Sequence, residues 1–204
     1  MLKRKKGKGF SLIELLIVVA IIGIIAAIAI PNLMSALQKG RQKRTMGDLK
    51  SLGTAIETIN TDCGGYPDYT GPVGDPTDCS KQAGLIDLMI KGGAINNVIA
   101  CDGWRQAFQY NDVNGQAQAV AVGDPNCTSI YTSFKAAYLL WSQGRYAADE
   151  CAPTVKWTGT SYDLSAATTT SCGSSTTCVG STDFACDISY GGGQFLTYPE
   201  GMQK

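Results

Sequence analysis

The apolar positions divide the chain into an oily front and a mixed body. Between positions 15 and 30 every residue is apolar or Gly, and counting from Phe10 only Ser11 and Glu14 interrupt the run. A helix over residues 10–30 would be about 31 Å long at about 1.5 Å per residue, enough to cross a bilayer core of about 30 Å. Pro31 follows; it lacks an N–H and is expected to kink or locally loosen the helix. Beyond it the pattern turns amphipathic. Leu49, Leu52, Ile56 and Ile59 recur at helical spacing and form one stripe that could pack on a body. Gly40, Gly47 and Gly53 each weaken the helix by up to about 1 kcal/mol relative to Ala, and each also permits a close approach. The helix is predicted to end near Asp62, where Cys63-Gly64-Gly65 and Tyr66-Pro67 break the period.

After position 63 the pattern shortens. Extended segments are predicted over residues 107–111, 116–122, 131–141 and 155–164, separated by Gly, Asn and Asp turns. Residues 84–89 read as a short helix or strand. Residues 167–183 are Ser/Thr-rich and disordered by composition unless Cys172 and Cys178 tie them down. The expected fold class is α+β: a small antiparallel sheet laid over the second half of the long helix.

Charge sharpens this division. Lys3, Arg4, Lys5, Lys6 and Lys8 precede the apolar run, and without them twelve basic residues face seventeen acidic ones, a net charge of −5. The basic flank holds that end in the cytoplasm by the positive-inside rule and sends the body across the membrane. An acidic body without a basic stripe argues against nucleic-acid partners. The eight cysteines, Cys63, Cys79, Cys101, Cys127, Cys151, Cys172, Cys178 and Cys186, all lie after the helix, and the chain has no His. An even number in a Gly-, Ser- and Thr-rich body predicts disulfides formed in an oxidising compartment. The paired spacing of a zinc site is missing. Connectivity stays open, with Cys172 and Cys178 a candidate local pair.

The N-terminal run has two plain explanations: a secretory signal with Ala27-Ile28-Ala29 as its cleavage site, or an uncleaved anchor. Neither accounts for Glu14. A carboxylate within a membrane helix costs on the order of 2.5 kcal/mol or more, so such a residue is presumptively functional and paired. Gly9-Phe10-Ser11-Leu12-Ile13-Glu14, a short basic leader before it and Pro31 after the run resemble the type III signal of type IV prepilins and type II secretion pseudopilins. The resemblance covers residues 6–67 closely and the remainder weakly. It implies a leader (residues 1–9) cut after Gly9 by a prepilin peptidase, and N-methylation of the new terminus at Phe10. It implies that Glu14 neutralises the terminal ammonium of a neighbouring subunit, which would also fix axial register. Residues 10–31 would be the transmembrane and polymerisation helix, 32–62 its amphipathic second half, and 63–204 a disulfide-rich pilin-like head.

Within that family, residues 54–67 resemble the major pseudopilin, and Asp102-Gly103-Trp104 with Phe108-Gln109-Tyr110 loosely match its next segment. Ser142-Gln143-Gly144 resembles the start of its calcium-binding loop, with Asp149 and Glu150 as candidate ligands. The usual Gly- and Asp-rich loop is replaced here by Arg145-Tyr146-Ala147-Ala148. Calcium takes six or more oxygens, and with two carboxylates a solvated loop is the preferred reading, so no cofactor is expected. The cysteine-rich C-terminal region is more like a pilin head. Without His there is no Ser-His-Asp or Cys-His arrangement, and no enzyme is expected. Gly191-Gly192-Gly193 and Asp112-Val113-Asn114-Gly115 read as turns. The Asn126-Cys127-Thr128 sequon is expected to have its Cys in a disulfide and so to stay unmodified. Trp104, Trp141 and Trp157 read as packing residues rather than a stacking platform.

The resemblance implies a filament subunit assembled from the bacterial inner membrane with its head in the periplasm. Its partners would be itself and other pilins or pseudopilins, the peptidase, an inner-membrane assembly platform and lipid. A type II secretion pseudopilin is slightly favoured over a pilin of a surface pilus serving adhesion, twitching motility or DNA uptake. A membrane-anchored ligand-binding protein is the remote alternative.

Overall fold

The computed structural model describes residues 10–97, 99–111, 113, 119–120, 125–131, 133–146, 155–163, 179–181 and 187–199. The chain forms two compact units, residues 1–39 and 40–204.

One helix, α1 (Leu12–Cys63), runs without a break through Pro31. It ends because Gly64 adopts φ +75° and donates its N–H to the Asn60 carbonyl at 2.7 Å. Glycine reaches this left-handed conformation at no steric cost, and the bond satisfies one of the helix's last carbonyls.

In the first unit the helix buries nothing. Ile13, Leu16, Val19, Ile24, Ile28 and Leu33 are all more than half exposed, and a window of mean hydropathy 3.1 lies in this helix. Length and composition suffice to cross a membrane.

In the second unit the predicted stripe is realised: Leu49, Leu52 and Ile56 are fully buried and Ile59 nearly so. They pack on a six-stranded sheet of order β2-β3-β6-β10-β11-β9. Its strands are β2 (Gly71–Pro72), β3 (Gln109–Asn111), β6 (Leu139–Ser142), β9 (Val179–Ser181), β10 (Ile188–Gly191) and β11 (Gln194–Pro199). A three-stranded sheet pairs β1 (Tyr66–Pro67), β5 (Phe134–Lys135) and β4 (Ala119–Val120). The central strand β6 shows strand periodicity at work. Leu140 joins the core with the helical stripe, while Leu139 and Trp141 join a second cluster with Val155 and Leu196. The unit also contains two short helices, α2 (Gly84–Lys91) and α3 (Pro125–Ile130).

The sheets are antiparallel except for β9, which runs parallel to β11. Three residues of the stretch expected to be disordered, Val179–Ser181, are therefore a strand held by ladder pairing; the rest of that stretch lies outside the described residues. Of the segment 155–164, expected as one strand, the described residues 155–163 instead form a hairpin of β7 (Lys156–Trp157) and β8 (Tyr162–Asp163). Gly159 at φ +99° and a Thr158–Ser161 hydrogen-bonded turn reverse the chain between them. Residues 131–141 likewise split into β5 and β6. The triple glycine forms the β10–β11 turn, with Gly192 and Gly193 both at positive φ, as a tight two-residue hairpin loop requires.

Candidate functional site

Of the residues expected to act in processing and assembly, Phe10 and Glu14 lie at the start of α1. Phe10 is 80% exposed, and Gly9 lies outside the described residues. Ser11 is the residue before the first helical turn. Its carbonyl accepts the Leu15 N–H at 3.2 Å, and its own N–H donates to Glu14 Oε2 at 2.9 Å. This reciprocal arrangement is half of a capping box, in which the carboxylate three residues into a helix satisfies an orphan amide at its start. It also places negative charge at the positive end of the helix dipole. The Ser-x-x-Glu spacing was a legible signal for this local role of Glu14, and the sequence reading missed it. Pro31 sits within the helix, where it removes one hydrogen bond without ending it.

The four cysteines among the described residues form two disulfides. Cys63 at the end of α1 bonds Cys127 in α3, and Cys79 bonds Cys101. The sequon at Asn126 thus has its Cys in a disulfide, as expected. Cys151, Cys172, Cys178 and Cys186 lie outside the described residues, as do Asp149 and Glu150.

Where the resemblance suggested the start of a calcium loop, the hydroxyl of Ser142 is committed to protein. It donates to Asp102 Oδ2 at 2.6 Å and accepts the Gly144 N–H at 3.2 Å. Asp102, 3% exposed, also accepts the N–H groups of Trp104 and Gln106 at 2.8 and 2.9 Å on Oδ1. Burial raises its carboxyl above the usual value, and the Ser142 and backbone hydrogen bonds partly offset that. The neighbouring Gly103 rests on α1: a Cβ there would lie 2.4 Å from the Arg41 carbonyl oxygen, and its N–H donates to Thr45 Oγ1. The Asp102-Gly103-Trp104 segment thus anchors the head on its helix.

A second polar knot forms further along α1, at Glu57. Glu57 accepts the hydroxyls of Tyr66 at 2.9 Å and Tyr138 at 3.2 Å. Burial, reinforced by the Glu57 charge, pushes both phenols well above their ordinary range, so they stay protonated donors.

Comparisons with known proteins fall in line with this geometry. Residues 4–30 match the prokaryotic N-terminal methylation motif. The chain is 36% identical to the type II secretion system core protein G of Vibrio cholerae over 132 residues, 65% of this chain and 83% of that protein. It is 32% identical to the protein of the same name from Klebsiella michiganensis over 134 residues, 65% of this chain and 86% of that protein. It is also 44% identical over 69 residues to the type IV major pilin protein PilA of Myxococcus xanthus, but that match spans 34% of this chain and only 31% of the pilin. The match to the major fimbrial protein FimA of Dichelobacter nodosus similarly spans about a third of that protein. No solved structure matches the chain.

Proposed function

The chain belongs to the family of the type II secretion system core protein G, and from that premise we propose that it is a structural subunit of a helical filament, a pseudopilin of a type II secretion machine. One observation carries the reading: an exposed apolar helix of membrane-spanning length opens on a single carboxylate. The matches to core protein G extend over most of those proteins, whereas the pilin matches stop at about a third, and this favours the secretion reading.

In this proposal residues 1–9 are a leader, and a prepilin peptidase cuts after Gly9. Phe10 then carries a free, N-methylated ammonium. Residues 10–31 hold the subunit in the inner membrane with the head in the periplasm, residues 32–62 bind the helix to the head, and residues 63–204 form the head. In the lone subunit Glu14 caps its own helix. On assembly through the inner-membrane platform it takes the ammonium of a neighbouring copy, which relieves the desolvation of both charges in the apolar bundle. A greasy rod without this pair could settle at several axial offsets.

Intact mass and N-terminal sequencing of the native protein, without reductant, test the processing. The expected terminus is a methylated Phe10, and any other start contradicts the scheme. A second reading, a subunit of a surface pilus, is favoured by the 44% identity to a major pilin. Deletion separates the two. Loss of an exported enzyme with fibres intact supports the secretion reading; loss of long extracellular fibres replaces it.

A further inference from the structure

We propose that the head carries a binding site for a neutral pyranose ring, in the cavity between the β7–β8 hairpin and the β10–β11 turn. This goes beyond the filament role and does not rest on it. The cavity has a volume of about 290 Å³, just below the about 300–1,000 Å³ usual for small-molecule sites, and so suits one small ring.

Its walls are aromatic and already fixed. Trp157 and Tyr162 are cross-strand partners in the hairpin, with ring centroids 5.0 Å apart in an edge-to-face arrangement. The Tyr162 hydroxyl donates to the Tyr138 carbonyl at 2.6 Å, and the Tyr66 hydroxyl donates to Glu57. Both phenols are thus tethered by their polar ends, which leaves ring carbon in the wall. The turn closes in because it has no side chains. A Cβ on Gly191 would lie 2.9 Å from the Tyr162 ring, and one on Gly192 would lie 3.0 Å from it. Trp157 packs on the second core cluster, as expected of a packing residue, and is half-buried, which leaves part of its ring at the cavity.

The polar groups at the rim are neutral. Ser161 and Gln194 line the cavity, and the Gln194 side chain makes no hydrogen bond among the described residues. None of the nine lining residues is charged. A phosphate or carboxylate would find no cation there, and an amine no anion, so burial would leave either unpaired. What fits aromatic faces beside an amide and a hydroxyl is a neutral ring with apolar C–H faces and a hydroxyl edge. A proline-rich peptide also favours aromatic walls, but it is read along an extended groove, whereas this is a small cavity closed by the hairpin, the turn, Tyr66 and the Ala136-Ala137 segment.

The test uses the full chain in lipid nanodiscs free of sugar-based detergent. Cellobiose, maltose and di-N-acetylchitobiose are titrated singly while tryptophan fluorescence and saturation-transfer NMR are followed. The expected result is saturable binding of at least one disaccharide in the millimolar range, weakened at least tenfold by Trp157→Ala and severalfold by Gln194→Ala. Trp157→Phe should restore part of the affinity. Unchanged circular dichroism and an unchanged midpoint for Gln194→Ala, an exposed position, keep its result interpretable even where Trp157→Ala misfolds. Presenting the same sugar as a glycolipid headgroup in the nanodisc distinguishes a membrane-borne ligand from a soluble one, and binding of either supports the site. Absence of saturable binding up to 50-fold above the expected range (on the order of 50 mM) overturns the proposal. So does binding indifferent to both substitutions, or saturable binding of a pentaproline peptide in place of the sugars.

Discussion

Asp102 is the residue on which the seating of the head turns, and its replacement gives a sharp test. Truncation to Ala strips an acceptor from the Trp104 and Gln106 amides and the Ser142 hydroxyl in a site that is 3% exposed. Hydrogen bonds to a charged acceptor contribute about 1.5–3 kcal/mol each, and a buried donor left unsatisfied costs about 1–3 kcal/mol. Part of this is offset, because the buried carboxylate itself is disfavoured. The net loss expected is about 3–5 kcal/mol, which lowers the midpoint by roughly 10 °C for a unit of this size. Asp102→Asn keeps an oxygen for both amides and can donate to Ser142, so it should cost only about 1 kcal/mol. The pH dependence has a definite sign. Because the folded carboxyl has its value raised above 3.8, the folded state holds the proton longer than the unfolded chain. This residue's contribution is therefore greatest below pH 3.8 and declines as pH rises from there through the folded value. The advantage of wild type over Asp102→Asn should be larger at pH 4 than at pH 7. Thermal unfolding of the full chain in nanodiscs, followed by near-ultraviolet circular dichroism, measures all three. An Ala variant within about 1 kcal/mol of wild type, an Asn variant as damaged as Ala, or a reversed pH trend would refute the reasoning.

Glu14→Gln separates two roles that Glu14→Ala confounds, because glutamine can still close a capping box but carries no charge. Insertion should be intact and filament yield largely lost; normal yield would show that capping alone suffices. Replacing the Cys63–Cys127 or Cys79–Cys101 pair by Ser should cost about 4 and about 3 kcal/mol by chain entropy, since the bonded residues are 64 and 22 apart in sequence. Equal or negligible shifts in the unfolding midpoint would contradict that account. Gly53→Ala should destabilise the head by about 1–3 kcal/mol, because a Cβ would lie 2.1 Å from the Tyr190 ring. Gly47→Ala, with nothing within 4 Å, should stabilise the lone subunit by up to about 1 kcal/mol. A reversed order of these two midpoints would count against the packing described.

The sequence alone determined the long helix, its membrane-length front, the buried stripe and the odd carboxylate at its start. Each rests on a local pattern: an unbroken apolar run, a 3.6-residue period, a Gly at the stop. Even the capping box was legible as Ser11-x-x-Glu14. The resemblance to pilins and pseudopilins rested on the same contiguous residues. Tertiary structure alone decided which cysteines meet, since Cys63 and Cys127 carry no mark of one another across 64 positions. It also decided that Gly53 serves an aromatic ring whereas Gly47 faces open space, and that Asp102 reaches Ser142 on a distant strand. It folded residues 155–163 back on themselves around Gly159, where alternation alone read one strand over 155–164. The reason is physical. Periodicity records which face of an element must be buried, but partners distant in sequence are chosen by the packing of several faces at once, and no short segment encodes that choice.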